Sequence, residues 1–286
     1  MSRLDTLRSH FAAEGFSAAT AALFREIVYD HFRTQGRHAL PWRETRDPYA
    51  ILVSEVMLQQ TQVERVTEKY REFLATFPDL PALAAAPLQE VLARWQGLGY
   101  NRRAVNLKQC AEAVVARWDG ALPSSPEELQ TLPGIGPYTA RAVAAFAFNA
   151  PTVFIETNIR TVFIHLLFPA AEKVHDRELI PLVAIALDRE NPREWYSALM
   201  DYGTALKREH PNPSRRSAHH VRQSPFRGSN REVRGMLVKV LLEQPGKTRT
   251  ELVACIGRDA DVVGKNLEQL RKEGFIVSRG RRYFIA

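Results

Sequence analysis

The sequence predicts a mainly α-helical protein that ends in a small α+β module. Apolar residues recur at helical spacing behind Ser, Asp and Pro residues of the kind that begin helices. Alternation of β-branched and polar residues, the pattern of strands, is nearly absent before residue 230. After residue 230 three short helical segments are followed by a hairpin. The 286 residues suffice for one large domain or two unequal ones.

The predicted helices of the body follow one another with short breaks. Ser17 caps one helix, and Asp47-Pro48 begins another that runs to about Gln60. Further helices are predicted over residues 61–77, 87–97 and 101–118. Ser125 and Glu128 have the spacing of a capping box, just ahead of a glycine-rich segment. The body is therefore expected to be all-α.

The C-terminal part begins with a change of composition. Residues 207–229 are rich in Arg, His, Ser and Pro and predict a basic linker. Residues 230–286 predict a winged helix-turn-helix, in which the turn of the final hairpin carries three basic side chains, Arg279, Arg281 and Arg282. Such a module presents its third helix to the major groove and its wing to the DNA backbone, but winged helices also dock proteins. We expect DNA contact here, and a protein partner stays an alternative.

Charge and cysteine content limit which partners, cellular compartments and metal sites the protein can have. Residues 207–286 hold 18 Lys+Arg against 8 Asp+Glu, whereas the remaining residues hold 21 against 24, so all excess positive charge lies in the last 80 residues. This distribution indicates a polyanionic partner or serves solubility. No apolar run is long enough to span a membrane, and the first residues lack the apolar core of a secretory signal. Only Cys110 and Cys255 are present, which favours a reducing cytoplasm and excludes a four-cysteine metal or iron–sulfur site.

Two segments of the body point to chemistry. Leu132-Pro133-Gly134-Ile135-Gly136 lies between two predicted helices, where its glycines allow a tight turn and the following helix N-terminus offers amides to a phosphate. Glu55 lies within an otherwise apolar helical turn. A carboxylic acid in apolar surroundings keeps its proton to higher pH and can act as an acid near neutrality, although a buried Glu can equally fix helix packing.

Five motifs together resemble one known family. LPWR, DPYAILVSEVMLQQTQV, WQGLGYNRRAVNL, LPGIGPYTARAV and ALMDYG occur in the order and spacing of the adenine-mismatch DNA glycosylase (MutY) family, across residues 40–203. That family belongs to the helix-hairpin-helix base-excision superfamily. The resemblance implies a two-lobed all-α glycosylase, with one six-helix lobe over about 44–153 and a second lobe from 1–43 plus 154–206. It also implies a flipped-out target base and double-stranded DNA with a mispaired or damaged base as the partner of a monomeric protein.

The resemblance assigns roles position by position. Glu55 matches the catalytic acid that protonates the adenine leaving group. Gln59, Gln60 and Tyr100 match residues that wedge into the duplex. The phosphate-gripping hairpin is matched by four residues, Leu132, Gly134, Gly136 and Thr139.

Four departures from the family pattern are visible. Glu156 stands where the family has an Asp that stabilises the oxocarbenium-like charge, and one added methylene can misplace a catalytic group. Tyr138 stands where lyase-type members carry Lys, which favours a monofunctional glycosylase. The four cysteine positions of the iron–sulfur cluster hold Lys207, Ser214, Ser217 and Gln223. The winged helix occupies the place of the family's domain for recognition of 8-oxoguanine.

Three functions therefore remain as hypotheses. The first is a hydrolytic adenine DNA glycosylase that works without an iron–sulfur cluster. A monovalent cation at the glycine-rich hairpin is the one bound ion that we predict for it. The second keeps the enzyme class but excises thymine or uracil opposite guanine. The third is a mismatch- or lesion-binding protein with little catalysis. SEVMLQQTQV favours the first, and we expect a cytoplasmic, nucleoid-associated enzyme.

Overall fold

A computed structural model describes residues 2–222 and 225–286. Its helices are α1 (Arg3–Glu14), α2 (Ala18–Gln35), α3 (Pro41–Glu44), α4 (Pro48–Leu58), α5 (Val63–Thr76), α6 (Leu80–Ala85), α7 (Leu88–Trp95), α8 (Arg102–Trp118), α9 (Pro126–Leu129), α10 (Pro137–Phe148), α11 (Thr157–Leu167), α12 (Asp176–Ala186), α13 (Pro192–Glu209), α14 (Asn230–Glu243), α15 (Arg249–Ile256) and α16 (Ala260–Lys272). A 3₁₀ helix spans Pro213–Arg216, and the strands are β1 (Lys247–Thr248), β2 (Ile276–Arg279) and β3 (Arg282–Ile285). The mainly α-helical fold with a small C-terminal α+β part is confirmed.

The chain divides into two compact units. The first comprises residues 1–51, 124–127 and 136–222, and the second comprises 52–123, 128–135 and 223–286. The expected lobe over about 44–153 does not coincide with either unit, because residues 44–51, 124–127 and, as the longest part, 136–153 group with the first unit. Side chains of α13 explain that grouping, since Tyr196 donates to the carbonyl of Thr152 and Arg193 donates to the carbonyl of Phe146. The C-terminal module belongs to the second unit.

The first unit is built around α11. Six apolar residues of this helix are buried on nearly every side, as expected for a central helix: Ile159, Val162, Phe163, Ile164, Leu166 and Leu167. Phe24 of α2 packs against Phe163 of α11 with the ring centroids 4.5 Å apart, and Trp195 of α13 packs against Phe24 in turn. Burial of this many apolar groups makes α11 a rigid base for the residues at its N-terminus.

The second unit contains the winged helix-turn-helix that the sequence predicts. Helices α14, α15 and α16 share this module with a three-stranded antiparallel sheet in the order β1-β3-β2. Strand β1 lies between α14 and α15 in the chain, and β2 and β3 follow α16. Thr248 and Glu251 form a capping box at the start of α15, where the spacing S/T-x-x-E occurs in the sequence. Helix α16 leaves Val262 exposed and buries Asn266, whose side-chain amide donates to the carbonyl of Val262.

Two other local predictions differ from the structure. Helix α4 ends at Leu58 rather than Gln60, because Gln60 adopts a left-handed backbone with φ of 55°. Residues 207–222 are more structured than an extended linker, since α13 continues to Glu209 and a 3₁₀ helix follows. Arg216 gives the reason, because its guanidinium donates to three carbonyls of the turn that follows α11, those of Phe168, Pro169 and Ala171. No helix in the described ranges is long and apolar enough to cross a membrane.

Candidate active site

Glu55 lies in the middle of α4 and is buried, with 8% of its surface exposed. Its neighbours on the helix are also buried: Leu52, Val53, Ser54, Val56 and Met57. Helix α4 therefore holds the Glu55 carboxyl group in a buried position. Gln59 follows Glu55 by four residues, so the carboxyl lies about one helical turn before the loop that carries the two glutamines.

One buried arginine holds that loop. Arg103 is 9% exposed, and its Nη1 donates to the carbonyls of Val56, Met57 and Gln59 at 2.8, 2.8 and 2.6 Å. The same guanidinium also binds the loop before α8, because its Nη2 donates to the carbonyls of Leu98 and Gly99 at 3.2 and 3.0 Å. A guanidinium presents five N–H donors in a fixed plane, so this side chain fixes both loops at once.

The environment of Arg103 is unusual for a cation. Burial lowers its pKa to about 10, and its Nε has no hydrogen-bond partner among the described residues. A small cavity of about 30 Å³ lies beside it, bounded also by Gln59, Asn106 and Gly134. Backbone carbonyl oxygens rather than carboxylates compensate the charge of Arg103. Two of them, the carbonyls of Val56 and Met57, belong to the last turn of α4, where carbonyls lack helical N–H donors.

The two loops that Arg103 holds both contain a non-glycine residue with a left-handed backbone. Gln60 has φ of 55° and Tyr100 has φ of 46°. Such conformations cost of order 1–3 kcal/mol and persist where the surroundings enforce them, most often at functional sites. The second unit thus brings together Gln59, Gln60 and Tyr100, the residues matched to the DNA wedge.

The glycine-rich hairpin is closely packed in its first half. Leu132 and Ile135 are buried in the second unit, at 3% and 5% exposure. Gly134 has φ of 75°, and a Cβ placed there would lie 2.5 Å from Cβ of Asn106. Glycine is needed here because it adopts a positive φ without strain and has no Cβ to collide with Asn106.

The second half of the hairpin begins α10 in the first unit. Gly136 is the N-cap residue, and Tyr138 and Thr139 lie in the first turn, where backbone amides lack helical acceptors. Thr139 is buried, whereas Tyr138 is half-buried and packs edge-on against Phe154, with 5.6 Å between the ring centroids. Tyr138 therefore contacts the segment that leads to Glu156.

Glu156 is the N-cap residue of α11. Its Oε1 accepts hydrogen bonds from the amides of Asn158 and Ile159 at 2.7 and 3.1 Å. Burial raises the pKa of Glu156, an effect that the two amides and the positive charges of Lys207 and Arg160 oppose. Lys207 lies one turn after Gly203 on α13, where a Cβ on Gly203 would come within 2.4 Å of the carbonyl oxygen of Asn158. Close contact of α13 with the start of α11 brings the Lys207 charge toward Glu156.

The positions matched to the iron–sulfur ligands do not fit a cluster. Lys207, Ser214 and Ser217 offer no thiolate, the ligand that such clusters require, and Gln223 lies outside the described residues. Ser214 and Ser217 are buried in a turn that pairs with Val174. No group of three or more His, Cys, Asp or Glu side chains within residues 2–222 and 225–286 is placed to hold a metal ion. A monovalent cation at the hairpin stays a prediction.

The wing carries its three arginines on the surface. Arg279, Arg281 and Arg282 are all exposed. Arg279 lies over the ring of Phe284, with its Cζ 5.3 Å from the centroid, and Arg282 donates to the carbonyl of Gly246 at 2.7 Å. The wing is thus positively charged and locally ordered.

Sequence reasoning missed Arg103 and Arg231. Arg103 lies on the helical face of α8 that is otherwise apolar, with Leu107, Cys110 and Val114, so periodicity alone could have marked it as buried. Arg231 contacts Tyr100 from a segment 131 residues later in the chain. No sequence pattern signals a contact between such distant segments.

Comparison with known proteins agrees with this arrangement. Residues 53–180 match the family model described as HhH-GPD superfamily base excision DNA repair protein. The adenine DNA glycosylase of Mycolicibacterium smegmatis is 34% identical over 268 residues, which cover 87% of this chain and 89% of that protein. Because residues 1–229 make up about 80% of the chain, that alignment extends into the C-terminal module.

Solved structures show the same fold. A thermostable thymine-DNA glycosylase aligns with a TM-score of 0.56 and 26% identity, covering 64% of this chain and 85% of that one. Endonuclease III in a non-covalent DNA complex aligns with a TM-score of 0.55 and 19% identity, covering 73% of this chain and 90% of that one. The second similarity concerns the fold alone.

Proposed function

This chain belongs to the adenine DNA glycosylase family of the helix-hairpin-helix base excision superfamily, and from that premise we propose that it hydrolyses the N-glycosidic bond of adenine mispaired in duplex DNA. The observation that carries the proposal is the placement of Glu55. A buried carboxyl group lies one helical turn before a loop that is held, together with the Tyr100 loop, by Arg103. An acid and the residues that engage the duplex thus share one rigid support.

The proposed reaction begins with proton transfer from Glu55 to a ring nitrogen of the flipped adenine. The N-glycosidic bond then breaks, its electron pair leaves with the neutral base, and positive charge develops on the sugar. The Glu156 carboxylate stabilises that charge, Glu55 as a carboxylate accepts a proton from the attacking water, and an abasic site forms. Protonation matters because an unprotonated purine is a poor leaving group.

We propose that the enzyme lacks lyase activity. A lyase step needs an amine that forms a Schiff base with the sugar, and the matching position carries Tyr138. A phenol cannot form an imine. Water is therefore the nucleophile in the proposed reaction.

The proposed enzyme also works without an iron–sulfur cluster. The loop matched to the family's cluster loop contains the buried Ser214 and Ser217, and Arg216 holds it by donating to the carbonyls of Phe168 and Pro169. Its proposed partner is duplex DNA with a mispaired adenine, bound by the hairpin through backbone amides and by the wing through Arg279, Arg281 and Arg282. We place it with the nucleoid of the cytoplasm.

A base-excision assay tests the function. Duplexes that contain A·8-oxoG, A·G, T·G and U·G are incubated with the protein, and abasic sites are revealed by hot alkali. We expect cleavage of the adenine-containing strands only, and no strand cleavage before alkali. Excision confined to T or U strands would assign the thymine/uracil activity instead, and tight binding without excision would assign a mismatch-binding protein.

Glu55→Gln tests the acid. The amide keeps the size of the side chain but cannot donate an acidic proton, so we expect a loss of excision rate of about a hundredfold or more with binding retained. Glu64→Gln, the same change at an exposed position of α5, is the matched control and should excise at the wild-type rate. Full activity of Glu55→Gln would remove Glu55 from the mechanism.

A further inference from the structure

The C-terminal module contacts the residue matched to the DNA wedge. Arg231 lies in the first turn of α14, and its Nη1 donates a hydrogen bond to the Tyr100 hydroxyl. The same guanidinium lies over the Tyr100 ring, with its Cζ 5.0 Å from the ring centroid. Hydrogen bond and cation–π contact act on one side chain, so Arg231 restricts both the direction and the tilt of the ring.

The backbone of Tyr100 is fixed independently. Arg103 binds the carbonyls of Leu98 and Gly99, and its Cζ lies 5.6 Å from the Tyr100 ring centroid. Tyr100 itself has a left-handed backbone, between Gly99 with φ of 70° and the start of α8. With the backbone held in this way, side-chain contacts set the rotamer of Tyr100, and the contacts from Arg231 are the ones that come from the C-terminal module.

Helix α14 is itself anchored next to this loop. Arg234 makes a bidentate pair with Glu273 at 2.6 and 3.2 Å, and Arg102 of α8 lies 3.3 Å from the same carboxylate. Although burial acts to raise it, the pKa of Glu273 is held below its usual value by hydrogen bonds from Arg234 and Gln269 and by the charge of Arg102. The two arginines thus join the module to the N-terminus of α8, two residues after Tyr100.

We infer that Arg231 is a positioning residue that holds Tyr100 in the orientation needed to enter the duplex, so that the C-terminal module contributes directly to base extrusion. The inference rests on the proposed function, in which Tyr100 engages the DNA. A side chain whose rotamer is already fixed loses less conformational entropy on insertion. Arg231 therefore favours the inserted state without a bond to the base.

The test compares Arg231→Ala with Lys239→Ala in the full-length protein. Lys239 is an exposed residue of the same helix, so its removal changes the net charge equally. Two quantities are measured on an A·8-oxoG duplex: the single-turnover excision rate, and the fluorescence rise of 2-aminopurine next to the adenine, which reports unstacking. We expect Arg231→Ala to lower both by about tenfold, the effect of losing one charged hydrogen bond, while affinity for undamaged duplex stays within about twofold. Lys239→Ala should leave both unchanged.

A double-mutant cycle makes the assignment specific. Tyr100→Phe removes the hydroxyl and keeps the ring, so in that background only the cation–π contact of Arg231 is left to lose. Arg231→Ala should therefore lower the rate less in Tyr100→Phe than in the wild type. Arg231→Lys keeps the charge but lacks the planar fork, and should restore little of the lost rate.

Several outcomes would overturn the inference. They are wild-type behaviour of Arg231→Ala, additive effects in the cycle, full rescue by lysine, faster excision by Arg231→Ala, or a fall in the salt dependence of binding that shows Arg231 on a phosphate. A wild-type protein that excises no adenine would instead refute the proposed function. Normal excision by wild type with a neutral Arg231→Ala refutes the positioning role alone.

Discussion

Glu156 shows at the scale of one residue how an added methylene is accommodated. Its carboxylate reaches the amides of Asn158 and Ile159 as a shorter acidic cap would, so the negative charge stays at the N-terminus of α11. The sequence shows that Glu stands where the family has Asp, and it raises the question of a misplaced carboxylate. It does not show that this carboxylate caps α11. The cap depends on where α11 begins, and a helix start is known from sequence only to within a few residues.

The charge of Lys207 should affect the pH dependence of excision. Removal of this cation by Lys207→Gln takes away an interaction that lowers the pKa of Glu156, so that pKa rises further. In the proposed mechanism Glu156 stabilises the sugar cation as an ionised carboxylate, so we expect the acid limb of the excision rate to move to higher pH. Single-turnover rates across the acid side of neutrality measure this shift.

The stability of the protein should follow the same titration. The pKa of Glu156 in the folded state lies above its ordinary value, so the folded state favours the protonated carboxyl group. The stability that this protonation contributes is fully present below the unfolded-state pKa and is lost as pH rises through the folded-state pKa. Lys207→Gln should therefore lower the free energy of unfolding at neutral pH more than at acid pH. Lys173→Gln, at an exposed lysine of the same unit, is the control. Equal pH profiles for the two variants would contradict the role of Lys207.

At the scale of elements, the hairpin needs its two glycines for different physical reasons. Gly134 has a left-handed backbone and lies against Asn106, whereas Gly136 has φ of −81° and open space where a Cβ would be. Gly134→Ala should lower the free energy of unfolding by about 1–3 kcal/mol through backbone strain and steric overlap. Gly136→Ala should change it by less than about 1 kcal/mol, because a poorer N-cap is offset by lower entropy of the unfolded chain.

Urea denaturation of the two variants measures this difference. The midpoint should fall for Gly134→Ala and stay near the wild-type value for Gly136→Ala, with equal slopes for both. Equal destabilisation by both substitutions would mean that the Asn106 contact and the left-handed backbone do not matter. DNA binding is measured separately, since the amides after Gly136 are proposed to bind phosphate.

Several elements could be predicted from the sequence because their signals are local. The capping box at Thr248, the proline start of α4 and the hairpin of the wing each depend on a few adjacent residues. Helix α1 was missed because it buries only Leu7, and β1 was missed because two residues carry no periodicity. The fold of residues 207–222 depends on side-chain bonds from Arg216 to carbonyls about 50 residues earlier. Such bonds leave no trace in local composition.

At the scale of the whole molecule, the positive charge of the C-terminal region has two uses. Some of it is structural, because several arginines bind groups of the protein itself, among them Arg216, Arg231, Arg234 and Arg258. Other positive side chains lie on the surface, among them Arg279 and Arg281 of the wing. Counting charges from sequence therefore overestimates how many of them are available to phosphates, and the number in contact with DNA has to be measured.

The salt dependence of DNA binding measures that number for the wing. Each phosphate contact contributes about 0.9 to the slope of log affinity against log salt, so Arg279→Ala/Arg281→Ala should lower the slope by about 2 if both side chains contact the backbone. Both residues are exposed, so the urea midpoint should stay near that of wild type. Lys173→Ala/Lys239→Ala removes the same charge from two other exposed positions and should leave the slope nearly unchanged. Equal slopes for the two double variants would mean that the wing does not contact DNA, which favours the alternative that the winged helix docks a protein.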